Sequence, residues 1–85
     1  MKTIYKYKLE VKDKQDIMLP ENYQILNIQI QDNRLCMWCL IDNEYPEKKV
    51  TFYVFGTGES LEMVYLKHHK TVQFGIFVWH IFTNK

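Results

Sequence analysis

The sequence predicts an all-β chain, a single small antiparallel β-sandwich or barrel of about six or seven strands over residues 1–85. Two observations carry this. Apolar residues recur with a period of two in several separate stretches, as strands require. No apolar stripe at helical spacing runs longer than one or two turns.

The first strand reads as Thr3 to Val11. Thr3, Tyr5, Tyr7, Leu9 and Val11 share the face expected to be buried, and Lys6, Lys8, Glu10 and Lys12 share the other. Lysines crowded on one face suit an edge strand, where they deter pairing with another chain. Lys12 to Gln15 reads as a polar turn, and Asp16 to Leu19 as a short strand stopped by Pro20. Pro20 to Tyr23 is a turn, with Asn22 tolerant of positive φ.

Gln24 to Gln31 follows, with Leu26, Ile28 and Ile30 expected to point inward and Asn27, Gln29 and Gln31 outward. Asp32-Asn33 is the hairpin turn into Arg34 to Asp42. That strand is apolar on both faces and reads as central. After the loop Asn43 to Glu47, Lys48 to Phe55 is a strand rich in β-branched and aromatic residues, halted by Gly56-Thr57-Gly58. Glu59 to Met63 reads as a loop or one helical turn, Met63 to Leu66 as a short strand, and Lys67 to Lys70 as an exposed basic turn. The last strand begins near Val72. Its stretch Phe74 to Phe82 is apolar on both faces and is expected to be buried on both sides, with His80 its one titratable group.

A chain this short buries roughly 60–65% of its unfolded surface, so its core is modest. Aromatic residues make up 15% of the chain, a load that suggests rings covering an interface between subunits, hence a homo-oligomer. The net charge of +1 lacks the basic excess of a duplex-binding protein, so no duplex nucleic acid is expected. Lysines break Ile4 to Leu9, leaving no continuous apolar signal core, and no apolar run approaches the roughly 20 residues that span a bilayer. The expectation is a cytosolic chain with no membrane partner.

Cys36 and Cys39 form a CMWC stretch. On a strand, i and i+3 point to opposite faces, which suits neither a disulfide nor a shared metal. Buried, inert thiols are expected. Zinc held by Cys36, Cys39, His68 and His69 would have the wrong spacing. No metal and no cofactor is therefore expected.

Several short patterns occur in order: Ile4-Tyr5-Lys6-Tyr7; Pro20 with Ile25-Leu26; Leu35, Trp38, Leu40 and Asp42; Gly56-Thr57-Gly58; and Val78-Trp79-His80-Ile81-Phe82. Together they resemble an uncharacterised family of small tailed-bacteriophage (prophage) proteins marked by GTG and VWHxF motifs. The resemblance spans nearly the whole chain. It departs at Asn22-Tyr23, where the family tends to Gly-Ala, and at His68, where a Gly-Thr step is usual. It implies a phage or prophage origin, a single β-domain and the host cytoplasm as the setting, and it brings no established activity.

Each candidate site residue has a plainer reading beside the functional one. Gly56-Thr57-Gly58 is either a nest of backbone N–H groups for a phosphate or a tight turn needing positive φ. It lacks the GK[ST] of a P-loop. His80 is either a ligand-binding group or a core histidine bonded to a carbonyl or to Thr57. Tyr23, Tyr45 and Tyr53 are candidates for exposed aromatic surface that stacks on a base or a protein. Lys48, Lys49, Lys67, His68, His69 and Lys70 are a basic set that attracts phosphates or is simply solvated.

No catalytic dyad, metal set or cofactor motif is found, so an enzyme is not expected. The phage setting then favours a counter-defence protein that sequesters a small anionic, nucleotide-type ligand, using Gly56, Thr57, Gly58, His80, Lys49, Tyr53, Tyr23 and His68. The alternatives are a protein–protein inhibitor of a host defence or replication enzyme, and a structural phage accessory protein.

Overall fold

The structure, a computed structural model, describes residues 1–61 and 65–84. Seven strands follow in order: β1 Lys2–Leu9, β2 Lys14–Pro20, β3 Gln24–Gln31, β4 Arg34–Asp42, β5 Glu47–Gly56, β6 Leu66–Phe74 and β7 Phe77–Asn84. They form a three-stranded sheet, β1-β4-β3, and a four-stranded sheet, β2-β5-β7-β6, and every pairing is antiparallel. The all-β expectation is met as a sandwich. The chain changes sheet at residues 10–13, 21–23 and 43–46, so consecutive strands often face each other rather than pair.

The inward faces follow from strand alternation. Leu35, Met37, Cys39 and Ile41 of β4 meet Val50, Phe52 and Val54 of β5, with Leu19, Ile28, Val72 and Ile81 filling the layer between. Phe52, Ile28, Met37 and Ile81 are fully buried. Removing the Phe52 ring would cost about 3–5 kcal/mol by the usual cavity effect. As expected, β4 is central, and β1 is an edge strand with lysines outward; Lys6 lies over the Trp38 ring, Nζ 5.7 Å from its centre.

The β1 strand stops at Leu9 rather than Val11, which is exposed. The Gln15 side chain bonds both the N–H and the C=O of Glu10, at 2.8 and 2.7 Å. It occupies the backbone groups that a continuing ladder would use, and so ends the strand there.

Four expectations are corrected. First, Leu26 is exposed, because a β-bulge between Ile25 and Asn27 shifts the register and turns its side chain outward. Second, Lys67 to Lys70 is no turn but part of β6, which carries its own bulge between His68 and Lys70. Third, Phe74 to Phe82 is not one doubly buried strand. It contains a hairpin turn at Gly75-Ile76, with Gly75 at φ +64, and Ile76 is 89% exposed. Of this run only the β7 part is an internal strand, between β5 and β6. Fourth, Tyr5 is exposed, lining a surface cleft with Tyr7 and Tyr45 rather than packing in the core. The helical turn and short strand expected around Glu62 to Val64 lie outside the described residues, and Leu66 opens β6.

Cys36 and Cys39 are free and buried, as expected. They sit on opposite faces of β4, and burial pushes the Cys39 thiol up to about 11. Among the described residues no cluster of metal-ligating side chains forms, and no helix is long and apolar enough to cross a membrane.

Candidate ligand-binding site

The expected site residues fall in three places. Gly56, Thr57, His80 and His68 come together on the outer face of the four-stranded sheet. The Thr57 hydroxyl and His80 Nε2 share a hydrogen bond of 2.8 Å. His80 Nδ1 and the Thr71 hydroxyl share one of 2.9 Å, and Thr71 and His68 Nε2 another of 2.9 Å. Both ring nitrogens of His80 are thus taken within the protein. The Gly56 N–H donates to Glu59 Oε2 at 2.9 Å, and the Glu59 N–H donates to Gly56 O at 3.2 Å. A phosphate at this turn would meet an amide already engaged and a carboxylate beside it. Gly58 keeps the positive φ, +95, that a tight turn requires.

Tyr53 belongs to the same face but is buried, not the exposed ring that was expected. It stacks on Phe55 at 6.1 Å, Phe55 meets Phe82 edge-on at 5.9 Å, and Phe82 meets His68 at 5.2 Å. The set packs as a second, outward layer of rings. Lys49 stands apart, exposed and paired across the ladder with Met18.

Tyr23 is elsewhere again, half-buried in a cleft of about 620 Å³ at one end of the sandwich. The cleft lies between the start of β3 and the four-stranded sheet, and is lined by Tyr23, Gln24, Ile25, Lys48, Val50, Thr51, Lys67, His69, Thr83 and Asn84. Among the described residues, two lysines and a histidine line it and no carboxylate side chain does. Lys48 Nζ sits over the Tyr23 ring, 5.6 Å from its centre. His69 is carried inward by the β6 bulge, and its Nε2 shares a 2.7 Å hydrogen bond with the hydroxyl of Thr83, the buried polar residue of the core. Burial first, then the Lys67 ammonium and His68, hold the His69 imidazole below the ordinary histidine range. Burial, with the Cys39 thiol second, holds the Tyr23 phenol up, so Tyr23 presents a neutral ring.

The opposite end of the sandwich has a cleft of similar size, about 690 Å³, but its charged lining is mixed: Lys8, Lys12 and Arg34 stand with Glu10 and Asp16. Charge, not volume, separates the two ends. Reading the residues in sequence picked out Tyr23 and the basic set but not the cleft. The signal within reach was Lys48 beside the marked Lys49, since only the parity of the strand decides which one turns inward.

No curated protein and no solved structure matches this chain. A family model described as a domain of unknown function, DUF7352, matches residues 1–85. The chain therefore belongs to the DUF7352 family.

Proposed function

We propose that this chain is a non-enzymatic binding protein that holds a small anionic, nucleotide-type ligand in the cleft of Lys48, Lys67, His69 and Tyr23. In the phage or prophage setting that its motifs resemble, it sequesters such a ligand in the host cytoplasm as a counter-defence. One observation carries this reading: among the described residues the cleft concentrates two ammonium groups, an imidazole and a neutral aromatic ring with no carboxylate side chain in its lining. The ammonium groups draw phosphates, the Tyr23 ring offers a base a face to stack on, and Thr83 and Asn84 supply polar contacts. The site differs from the Gly56-Thr57-Gly58 and His80 set, where the Gly56 N–H, the Thr57 hydroxyl and both His80 nitrogens are engaged internally.

Thermal denaturation against a panel of cyclic and ADP-ribose-type nucleotides tests it. Ligand at 100 times its Kd stabilises by about 2.7 kcal/mol, which raises Tm by roughly 10 °C or more in a domain of this size. Lys67→Gln should shrink the shift. No shift with any nucleotide removes the proposal.

A second reading, a protein–protein inhibitor, has its own observation. The β6–β7 hairpin tip exposes Ile76, Phe77 and Val78 at 89%, 58% and 36%, beside a small cleft of Gly56, Thr57 and Trp79. Turn tips are ordinarily polar, and an apolar one is the kind of anchor that fills a partner's pocket. Capture of a host enzyme that is lost in Phe77→Ser supports this reading; retention in Phe77→Ser removes it.

A further inference from the structure

Beside the basic cleft, at the same end of the sandwich, lies a cup of opposite character. Its volume is about 320 Å³, and it is lined by Tyr5, Tyr7, Pro20, Ile41, Asn43, Tyr45 and Glu47. Among the described residues, three tyrosines and one carboxylate line it, and no lysine, arginine or histidine does. Glu47 and Lys48 are consecutive residues of β5, so strand alternation sends them to opposite sides. The carboxylate goes to the tyrosine cup and the ammonium to the basic cleft.

The ring geometry is that of a cage. The Tyr5 and Tyr7 centroids are 5.0 Å apart with planes inclined at 53°, so the two rings meet as adjoining walls rather than stacking flat. Tyr45 lines the cup from the β4–β5 loop, and Pro20 and Ile41 add apolar surface. Tyr5 and Tyr45 are 55% and 49% exposed, so neither is consumed by the core. Burial first, with the charges of Cys39, Glu47 and Tyr5 following, raises the Tyr7 phenol, which keeps its ring neutral and marks Glu47 as electrostatically close.

We infer that this cup, Tyr5, Tyr7 and Tyr45 with Glu47, binds a trimethylammonium group. Aromatic faces attract a cation through their quadrupoles, and Glu47 supplies the countercharge. A primary ammonium is strongly hydrated and gives up water at high cost. A trimethylammonium holds water weakly, and its methyl groups match Pro20 and Ile41. The volume leaves room for the chain that carries the group, either a small molecule such as choline or a trimethylated lysine side chain. The inference does not rest on the anion site.

Titration followed by aromatic NMR tests it, with choline, with choline's neutral carbon isostere (a tert-butyl group replacing trimethylammonium), and with a peptide bearing trimethyl-lysine or unmodified lysine. Choline or the trimethylated peptide should give saturable shifts centred on Tyr5, Tyr7 and Tyr45; whichever binds more tightly identifies the source. Tyr5→Leu, Tyr45→Leu and Glu47→Gln should each weaken binding by about two- to fivefold, while Tyr45→Phe, which keeps the ring, should not. Lys67→Gln should leave choline binding unchanged while weakening the nucleotide, so the two sites fail independently. Equal binding of the neutral isostere or of unmodified lysine, or no saturable shift with either trimethylated probe, overturns the inference.

Discussion

Lys70 Nζ donates a hydrogen bond of 2.8 Å to Asn27 Oδ1, joining the two sheets where both partner strands bulge. Asn27 keeps the outward face it shares with Gln29, half-buried at the sheet edge, and Lys70, just past the β6 bulge, reaches across to it. The bond gives the half-buried Lys70 ammonium its partner, while the Asn27 amide also donates to Gln29 Oε1 at 3.2 Å. Both bulges border the basic cleft: His69, the extra residue of one, and Ile25, beside the other, line it.

Removing one side of this bond should therefore cost more than removing a surface contact. Asn27→Ala leaves a half-buried ammonium unpaired, and we expect a loss of about 1–3 kcal/mol. Lys70→Met replaces the charged end with apolar matter of similar length and should cost less. Urea unfolding of the two variants measures the difference. If both stay within about 0.5 kcal/mol of the parent, the clasp contributes nothing to stability.

Gly75 turns β6 into β7 at φ +64, and an added Cβ would meet nothing within 4 Å. The cost of Gly75→Ala is then backbone strain alone, about 1–2 kcal/mol. Gly75→Asn should be milder, since asparagine enters the left-handed region more readily. A thermal melt in which alanine and asparagine are equally tolerated would contradict the turn geometry.

The legible parts of the fold are those where local chemistry and strand parity agree. Asp32-Asn33 announced a hairpin, and both residues take positive φ, 51 and 61, as a two-residue turn demands. The double-faced apolar run of β4 announced a central strand. The illegible parts are phase errors. No residue type marks the bulge at Leu26, yet it packs Ile25 rather than Leu26 against the core, while Ile28 and Ile30 face inward as expected. Gly75-Ile76 lies inside an apolar run and carries no polar turn signal, so two strands read as one. Lys67 to Lys70 read as a turn by composition, although edge position and a bulge let a basic segment serve as a strand. For the candidate site, residue types were legible and their company was not. The topology brings Lys48 of β5, Lys67 and His69 of β6 and Tyr23 of the turn before β3 together from three separate places in the chain, and that order is written in no local pattern.

Both cysteines are buried, and Cys39 has its thiol pushed up to about 11, so thiolate is scarce near neutrality. We expect neither cysteine to react with a thiol reagent at pH 8 in the folded protein, and both to react promptly in denaturant. Rapid modification of the native protein would contradict the burial of β4.

Ile76 and Phe77 at the hairpin tip make no contribution to the core, so Ile76→Asp should change stability by less than about 0.5 kcal/mol. If the expected homo-oligomer forms through this tip, light scattering at micromolar concentration gives a mass well above 10.4 kDa for the parent and 10.4 kDa for Ile76→Asp. A parent chain already at 10.4 kDa removes the oligomer and leaves the tip to a different protein.

His69 links the cleft to pH with two opposite signs. Its folded imidazole lies below the ordinary value near 6.5, so the unfolded chain binds the proton more readily. Stability from this group is fully present above about pH 6.5 and is lost as pH falls through the depressed folded value. The facing titratable groups are Lys67 and His68 on its own strand, Lys48 of β5 and the Tyr23 phenol beside β3, none of which carries a negative charge to pair with the imidazolium. An anion in the cleft changes that balance. It favours the charged imidazole, so binding takes up a proton and affinity should rise as pH falls below about 6.5. We therefore expect the apo protein to lose stability on acidification while nucleotide affinity increases, and His69→Gln to flatten both trends. Urea unfolding and calorimetric titration at pH 7.5 and pH 5.5 measure them, and an affinity that falls on acidification would place the anion away from His69.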